Sequence, residues 1–127
     1  MLTFIKRYFL HKDDKGSLEG LVNFGNWREF NMIYSEEGSI RGNHFHKDTA
    51  ELFIILGGEI EVRVQRVAGG LLVGESQKFL VQKGDVFMIE AEINHVFKVK
   101  KQSNWINVLS KAINKNNPDI HRANILK

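Results

Sequence analysis

Apolar and polar residues alternate along much of the chain, in short runs punctuated by Gly, Asn and Asp. Alternation of period two sends successive side chains to opposite faces and marks half-buried β-strands. The stretch Glu59-Ile60-Glu61-Val62-Arg63-Val64-Gln65 is the clearest example. On this pattern, strands are predicted over residues 18–24, 30–34, 40–46, 52–56, 59–67, 71–73, 77–81, 86–89, 95–100 and 105–109. Gly69-Gly70 and Lys83-Gly84-Asp85 supply tight turns. The one predicted helix is short and follows Ala112, within residues 114–126. So many short strands with so little helix must pack as an antiparallel sandwich or barrel. A closed barrel removes exposed sheet edges and leaves an interior that can hold a ligand. Its core is expected to contain Phe45, Phe53, Phe79, Phe87, Phe97 and Trp105.

Length narrows this to one domain, because 127 residues divided in two would leave neither half able to bury a stable core. There is no cysteine, which excludes disulfides and thiolate metal sites; any bound metal must use imidazole and carboxylate. The first ten residues are partly apolar, but Lys6 and Arg7 interrupt them and no small-residue cleavage site follows. No signal peptide is therefore expected, no run is long enough to span a bilayer, and the location read from the sequence is cytoplasmic. The net charge of +3 is concentrated late, at residues such as Lys98, Lys100, Lys101, Lys111 and Arg122. Lys98 and Lys100 alternate with apolar residues, the pattern of a solvated outer face rather than a nucleic-acid surface. Nucleic acid is not expected as a partner, whereas an anionic small molecule fits.

His44 and His46 stand two apart on a predicted strand, so both rings leave the same face and Phe45 takes the other. A tight turn over residues 47–50 would return the Glu51 carboxylate beside them. Lys98 and Lys100 face solvent with Val96, which sends His95, Phe97 and Val99 inward. Three inward histidines and one inward carboxylate suit one divalent ion of iron, manganese, zinc, nickel or cobalt. His11 and His121 have no such company and are expected at the surface. Tyr34 carries a polar handle next to the strand that bears the histidines, and is the aromatic expected to line a pocket. Glu90 and Glu92 are expected to be solvated.

The arrangement Gly38-x5-His44-x-His46-x4-Glu51-x6-Gly58 resembles the first conserved motif of the cupin superfamily at every position. The segment from Gly84 to His95 resembles the second, with Glu90 and Glu92 where a proline and a glycine are usual, and Val99 follows in place of a common asparagine. The resemblance implies a jelly-roll barrel occupying residues 1–127 and a metal held by His44, His46, Glu51 and His95. It also implies a homodimer, to which the apolar residues 2–10 could supply an exchanged strand.

A narrower resemblance concerns substrate. Arg41-Gly42-Asn43-His44-Phe45-His46-Lys47 is similar to the Arg-Gly-x-His-x-His-Lys signature of sugar-nucleotide cupins. These are the dTDP-4-keto-6-deoxyhexose 3,4-ketoisomerases and the cupin domains of capsular polysaccharide enzymes. Asp13-Asp14-Lys15-Gly16-Ser17-Leu18 and the stretch from Trp105 to Arg122 resemble the corresponding parts of those chains. In the ketoisomerases two histidines act as acid and base without metal; Glu51 brings this chain nearer to the metal-binding capsular cupins. The resemblance implies a nucleotide-linked sugar as substrate and isomerase or epimerase chemistry in surface-polysaccharide synthesis. His44, His46 and Tyr34 are the candidate catalytic residues. Arg41 is either a phosphate anchor or a rim residue paired with Glu36 or Glu37, and Lys47 is a weaker substrate-binding candidate. Two other functions use the same residues: a metal-dependent dioxygenase, and a small-molecule-binding protein without turnover.

Overall fold

The structure, a computed structural model, describes residues 1–124. Among them are nine strands and no helix: β1 (Leu2–Phe4), β2 (Phe9–Asp13), β3 (Gly16–Gly20), β4 (Glu29–Ser35), β5 (Ile40–His44), β6 (Glu51–Ala68), β7 (Leu71–Gln82), β8 (Val86–Ile89) and β9 (Ile93–Leu109). All pairings are antiparallel. β6 and β9 are far longer than the strand segments expected, because each joins two of them through a bend. Residues 51–57 of β6 pair with residues 104–109 of β9, and residues 59–66 pair with residues 93–101, with register shifts around Gly57 and Glu59. The first half of β6 also carries β8 and β1, while the matching half of β9 carries β4. The second half of β6 carries β7, and the first half of β9 carries β5. Two layers thus share two continuous strands, and the bend closes them into a cupin jelly-roll barrel.

The corner has a steric requirement. Gly58 sits at φ +92°, and a Cβ there would lie 2.3 Å from the Gln102 carbonyl oxygen and 2.6 Å from Ser103 Cα. Only glycine lets the two bent strands approach this closely. Inside the barrel, inward-facing side chains from both layers meet in an aromatic cluster. Phe53 stacks on Phe87 at 5.1 Å and on Trp105 at 5.6 Å, and Phe97 meets Trp105 edge-on at 4.9 Å. The Trp105 indole N–H donates to Ser35 Oγ at 3.1 Å, so this large buried ring leaves no donor unpaired. Phe79 is half-buried at the margin of the core, against Phe4.

Residues 2–4 pair with β8 of their own chain. Two expectations need correction. The strand expected over residues 18–24 begins and ends earlier, as the second arm of the β2–β3 hairpin. The helix expected after Ala112 is absent among the described residues, and residues 125 and 126 of that stretch lie outside them. Asn114 explains the difference. Its side chain accepts from Asn116 N at 3.0 Å and its carbonyl from Asn117 N at 3.1 Å, a local turn that competes with helix, and Pro118 then removes a donor. No helix among the described residues is long and apolar enough to cross a membrane.

The corner can be tested with two glycines. Gly58→Ala should lower unfolding free energy by at least about 2 kcal/mol, since it combines backbone strain with a clash. Gly69→Ala, at φ +57° with nothing within 4 Å of the added Cβ, should cost only the conformational part, about 1 kcal/mol. Urea denaturation of both variants measures the difference.

Candidate metal centre

β5 ends at His44, which pairs with His95 across a register shift after Gly42. The irregularity is built by Asn43, which adopts φ +60°, a left-handed conformation that asparagine tolerates better than most residues. His46 lies just beyond the strand, and Phe45 between the two histidines is buried on the opposite side against His121. β9 alternates as expected from Lys98 and Lys100: His95, Phe97 and Val99 are buried, with His95 only 1% exposed, while the lysines are exposed. Lys100 lies 3.8 Å and Lys78 3.5 Å from Glu61, so the outer face carries cross-strand ion pairs.

His44, His46, Glu51 and His95 converge, their potential ligand atoms all lying within 4.8 Å of one another. The ring centroids stand 4.8–5.4 Å apart. The proton positions on two rings follow from their outer partners. His46 Nδ1 faces the Asp119 carbonyl and His95 Nδ1 lies 3.0 Å from the Ile93 carbonyl; carbonyls only accept, so both Nδ1 atoms carry the hydrogen. Both Nε2 atoms then present lone pairs toward Glu51. His46 Nε2 touches Glu51 Oε1, and His95 Nε2 lies 3.2 Å from the same oxygen but has no hydrogen-bond partner. Asn107 Nδ2 holds the other carboxylate oxygen at 3.0 Å. Acceptors facing acceptors in a buried pocket require a proton or a cation between them, and this donor set fits a divalent ion of the borderline class.

The titration of the groups reflects the same crowding. Burial, with the neighbouring His95 and His46, lowers the His44 pKa to about 4, so its ring is neutral at physiological pH. Burial would also depress His46, but contact with Glu51 and the Asp119 carbonyl outweighs it and raises that pKa. Glu51 is held well below the usual carboxylate range; burial opposes this, and the close His46 and His95 rings overcome it.

Three of the four, His44, His46 and Glu51, line a cavity of about 170 Å³, walled by Asn107, Lys111, Ile113, Pro118, Asp119 and Ile120, among others. Tyr34, Arg41 and Lys47 do not line it. Tyr34 is 50% exposed, beside Glu36, Glu37 and Gln102. Arg41 Nε donates to Ser35 Oγ at 2.8 Å and its Nη2 to the Tyr34 carbonyl at 3.1 Å, so its guanidinium secures β5 to β4 instead of facing the cavity or Glu36 and Glu37. Lys47 is an exposed turn residue. His11 is exposed as expected, but His121 is not an isolated surface residue; it stacks near Phe45 and lies 2.8 Å from Asp119 Oδ1. Glu90 and Glu92 are both exposed, as expected; Glu92 is also strained at φ +63°, and its N–H donates to the His46 carbonyl at 2.7 Å.

Sequence reasoning missed Asn107, Lys111 and Asp119. Asn107 shares the phase of Trp105 and Leu109 on β9, and a polar residue on an inward phase was the available signal. Asp119 and Lys111 reach the site through a long connection, which leaves no local pattern.

Three solved structures share the fold. Staphylococcus aureus capsular polysaccharide assembling protein CapF is 21% identical with a TM-score of 0.69 over 91% of this chain and 34% of CapF. QdtA, a sugar 3,4-ketoisomerase from Thermoanaerobacterium thermosaccharolyticum in complex with TDP, is 16% identical at a TM-score of 0.71, covering 96% of this chain and 86% of QdtA. The Mycobacterium tuberculosis rmlC epimerase is 16% identical at 0.73, over 95% and 66%. This chain therefore spans about a third of CapF's length. No curated protein matches the sequence. The polysaccharide biosynthesis C-terminal domain matches residues 11–119, a span that holds all four convergent residues and Asp119. The chain belongs to the polysaccharide biosynthesis C-terminal domain family, built on a cupin barrel.

Proposed function

We propose that this chain is a cytoplasmic, metal-binding cupin, a single domain that isomerises or epimerises a nucleotide-linked keto-sugar in surface-polysaccharide biosynthesis. The observation that carries the reading is the set of three imidazoles and one carboxylate at the edge of a cavity, in a chain of a polysaccharide-biosynthesis family. QdtA, of the same fold, is a sugar ketoisomerase in complex with TDP, which supports the substrate class. Removal of a proton beside a ketone and its return to the neighbouring carbon moves the carbonyl or inverts a centre. A divalent ion bound by His44, His46, Glu51 and His95 supplies Lewis acidity for the oxyanion that develops. The cavity, at about 170 Å³, is smaller than a typical pocket for a whole drug-sized ligand. It accommodates the reacting end of a sugar, with the nucleotide outside.

His44 has two mutually exclusive roles. Without metal its neutral ring is a base open to the cavity; with metal it completes the ligand set. We assign the second, so isomerisation of dTDP-4-keto-6-deoxyhexose by the purified protein should stop on chelation and return with added metal. Activity that survives chelation assigns the proton to His44 instead. Oxygen consumption without isomerisation identifies the dioxygenase.

Glu51→Gln keeps the shape of the site and removes the charge that offsets a dication, so metal affinity should fall at least about tenfold, or about 1.4 kcal/mol. Equal metal occupancy in that variant returns Glu51 to a structural role.

Lys111 is the cation that lines the cavity, and it takes the phosphate role expected of Arg41. In calorimetry with dTDP-sugars, Lys111→Ala should weaken binding by about 1 kcal/mol, while Arg41→Ala should leave affinity unchanged. The opposite ranking restores Arg41 as the anchor.

The exposed apolar surface supports a homodimer as part of this reading. The β2–β3 hairpin is a separate two-stranded sheet, exposed at every residue except Gly20. Beside it, Phe30 and Met32 on β4 are 70% and 74% exposed. An isolated hairpin is marginal in water, and a second copy covering this face stabilises it. Light scattering should give twice the chain mass for the wild type and the single-chain mass for Met32→Lys; a monomeric wild type removes the dimer.

A further inference from the structure

His46 lies past the end of β5, so no sheet ladder holds its ring in place. Its hold comes from a strap more than seventy residues away. The Asp119 carbonyl accepts from His46 Nδ1, while the Asp119 carboxylate accepts from Lys47 N at 2.9 Å, Asp48 N at 2.8 Å and Thr49 Oγ1 at 2.9 Å. His121 Nε2, at 2.8 Å, is the fourth partner of that carboxylate. Phe45 and His121 then exchange two main-chain hydrogen bonds, of 2.9 and 3.0 Å, which seat the strap against the histidine-bearing segment. Pro118 and Ile120, on either side of Asp119, form part of the cavity wall.

We propose that Asp119 is the positioning residue of the metal centre: through the strap it fixes the His46 tautomer and the spacing from His46 to Glu51, without touching the ion. The inference rests on the metal-binding reading above. A carboxylate offers about four lone-pair sites, and here four donors fill them. An asparagine has a single accepting oxygen, and its NH2 group would face N–H or O–H donors. Asp119→Asn therefore releases the turn between His46 and Glu51, and with it the carbonyl that keeps the proton on His46 Nδ1. Loss of such an outer partner of a ligating histidine typically costs 10- to 100-fold in metal affinity.

The test titrates Co2+ into the full chain, wild type, Asp119→Asn and Thr49→Val, and records the visible Co2+ band. ¹⁵N-resolved spectra of the histidine rings are taken before metal is added. Asp119→Asn should bind Co2+ about 10- to 100-fold more weakly with a shifted band, and should lose the slowly exchanging His46 Nδ1 proton. Thr49→Val, which removes one donor and preserves volume, should move in the same direction by less; it carries the test if Asp119→Asn does not fold. Wild-type affinity, band and His46 proton in the folded variants overturn the strap while leaving the metal centre standing. If the wild type binds no Co2+, the metal reading fails, and the apo spectra decide the strap alone: a His46 proton lost in the variants sustains it, and one unchanged ends it.

Discussion

The curvature of two long strands is the constraint on which this molecule depends. Glu51 and His95 lie 3.2 Å apart, yet the β6–β9 register pairs His95 with Val64, thirteen residues along β6 from Glu51. In a straight strand that separation would be about 43 Å. The strands must therefore bend back on themselves, and they do so at Gly57 and Gly58, where register shifts and a left-handed glycine let the backbones of β6 and β9 close together. The same bend turns one continuous ladder into two facing layers. Core and site are consequences of a single corner: the aromatic cluster of Phe53, Phe97 and Trp105 fills the space between the layers, and His95 rests against Phe97 at 5.4 Å.

Once the layers face each other, the chemistry of the site follows from which atoms point where. Backbone carbonyls take the Nδ1 hydrogens of His46 and His95, so lone pairs are left turned inward against a carboxylate. Such an arrangement is unfavourable by itself and becomes favourable around positive charge. The long C-terminal connection adds the cavity wall and the Asp119 anchor. The barrel thus places three of the four convergent residues on strands, His44, Glu51 and His95, while His46 depends on a contact made late in the chain.

The four convergent residues were legible because strand alternation is a local signal: Lys98 and Lys100 outside forced His95 inside, and the two-residue spacing of His44 and His46 placed both on one side. The motif spacing added Glu51 and the corner glycine. What was not legible came from long-range contacts. Nothing near Asp119 reports that it will receive Lys47, Asp48 and Thr49. Arg41 satisfied the pattern of a phosphate anchor, but Ser35 Oγ and the Tyr34 carbonyl lie within reach on the neighbouring strand and take its donors. The helix expected after Ala112 failed because the side chain of Asn114 offers the backbone a closer partner than the next helical turn. The join of paired strand segments into β6 was missed because Gly57-Gly58 reads, in sequence, like the end of a strand, and the join into β9 because the polar run Lys101-Gln102-Ser103-Asn104 reads like a loop.

The central claim is that a divalent ion belongs among His44, His46, Glu51 and His95. Elemental analysis of the purified chain, combined with an anomalous difference map at that metal's absorption edge, addresses it directly. The account expects one metal per chain and one anomalous peak within about 2.0–2.3 Å of the four ligand atoms. A metal-free protein that crystallises with metal salts present and shows only water or protons between Glu51 and the histidines would contradict it.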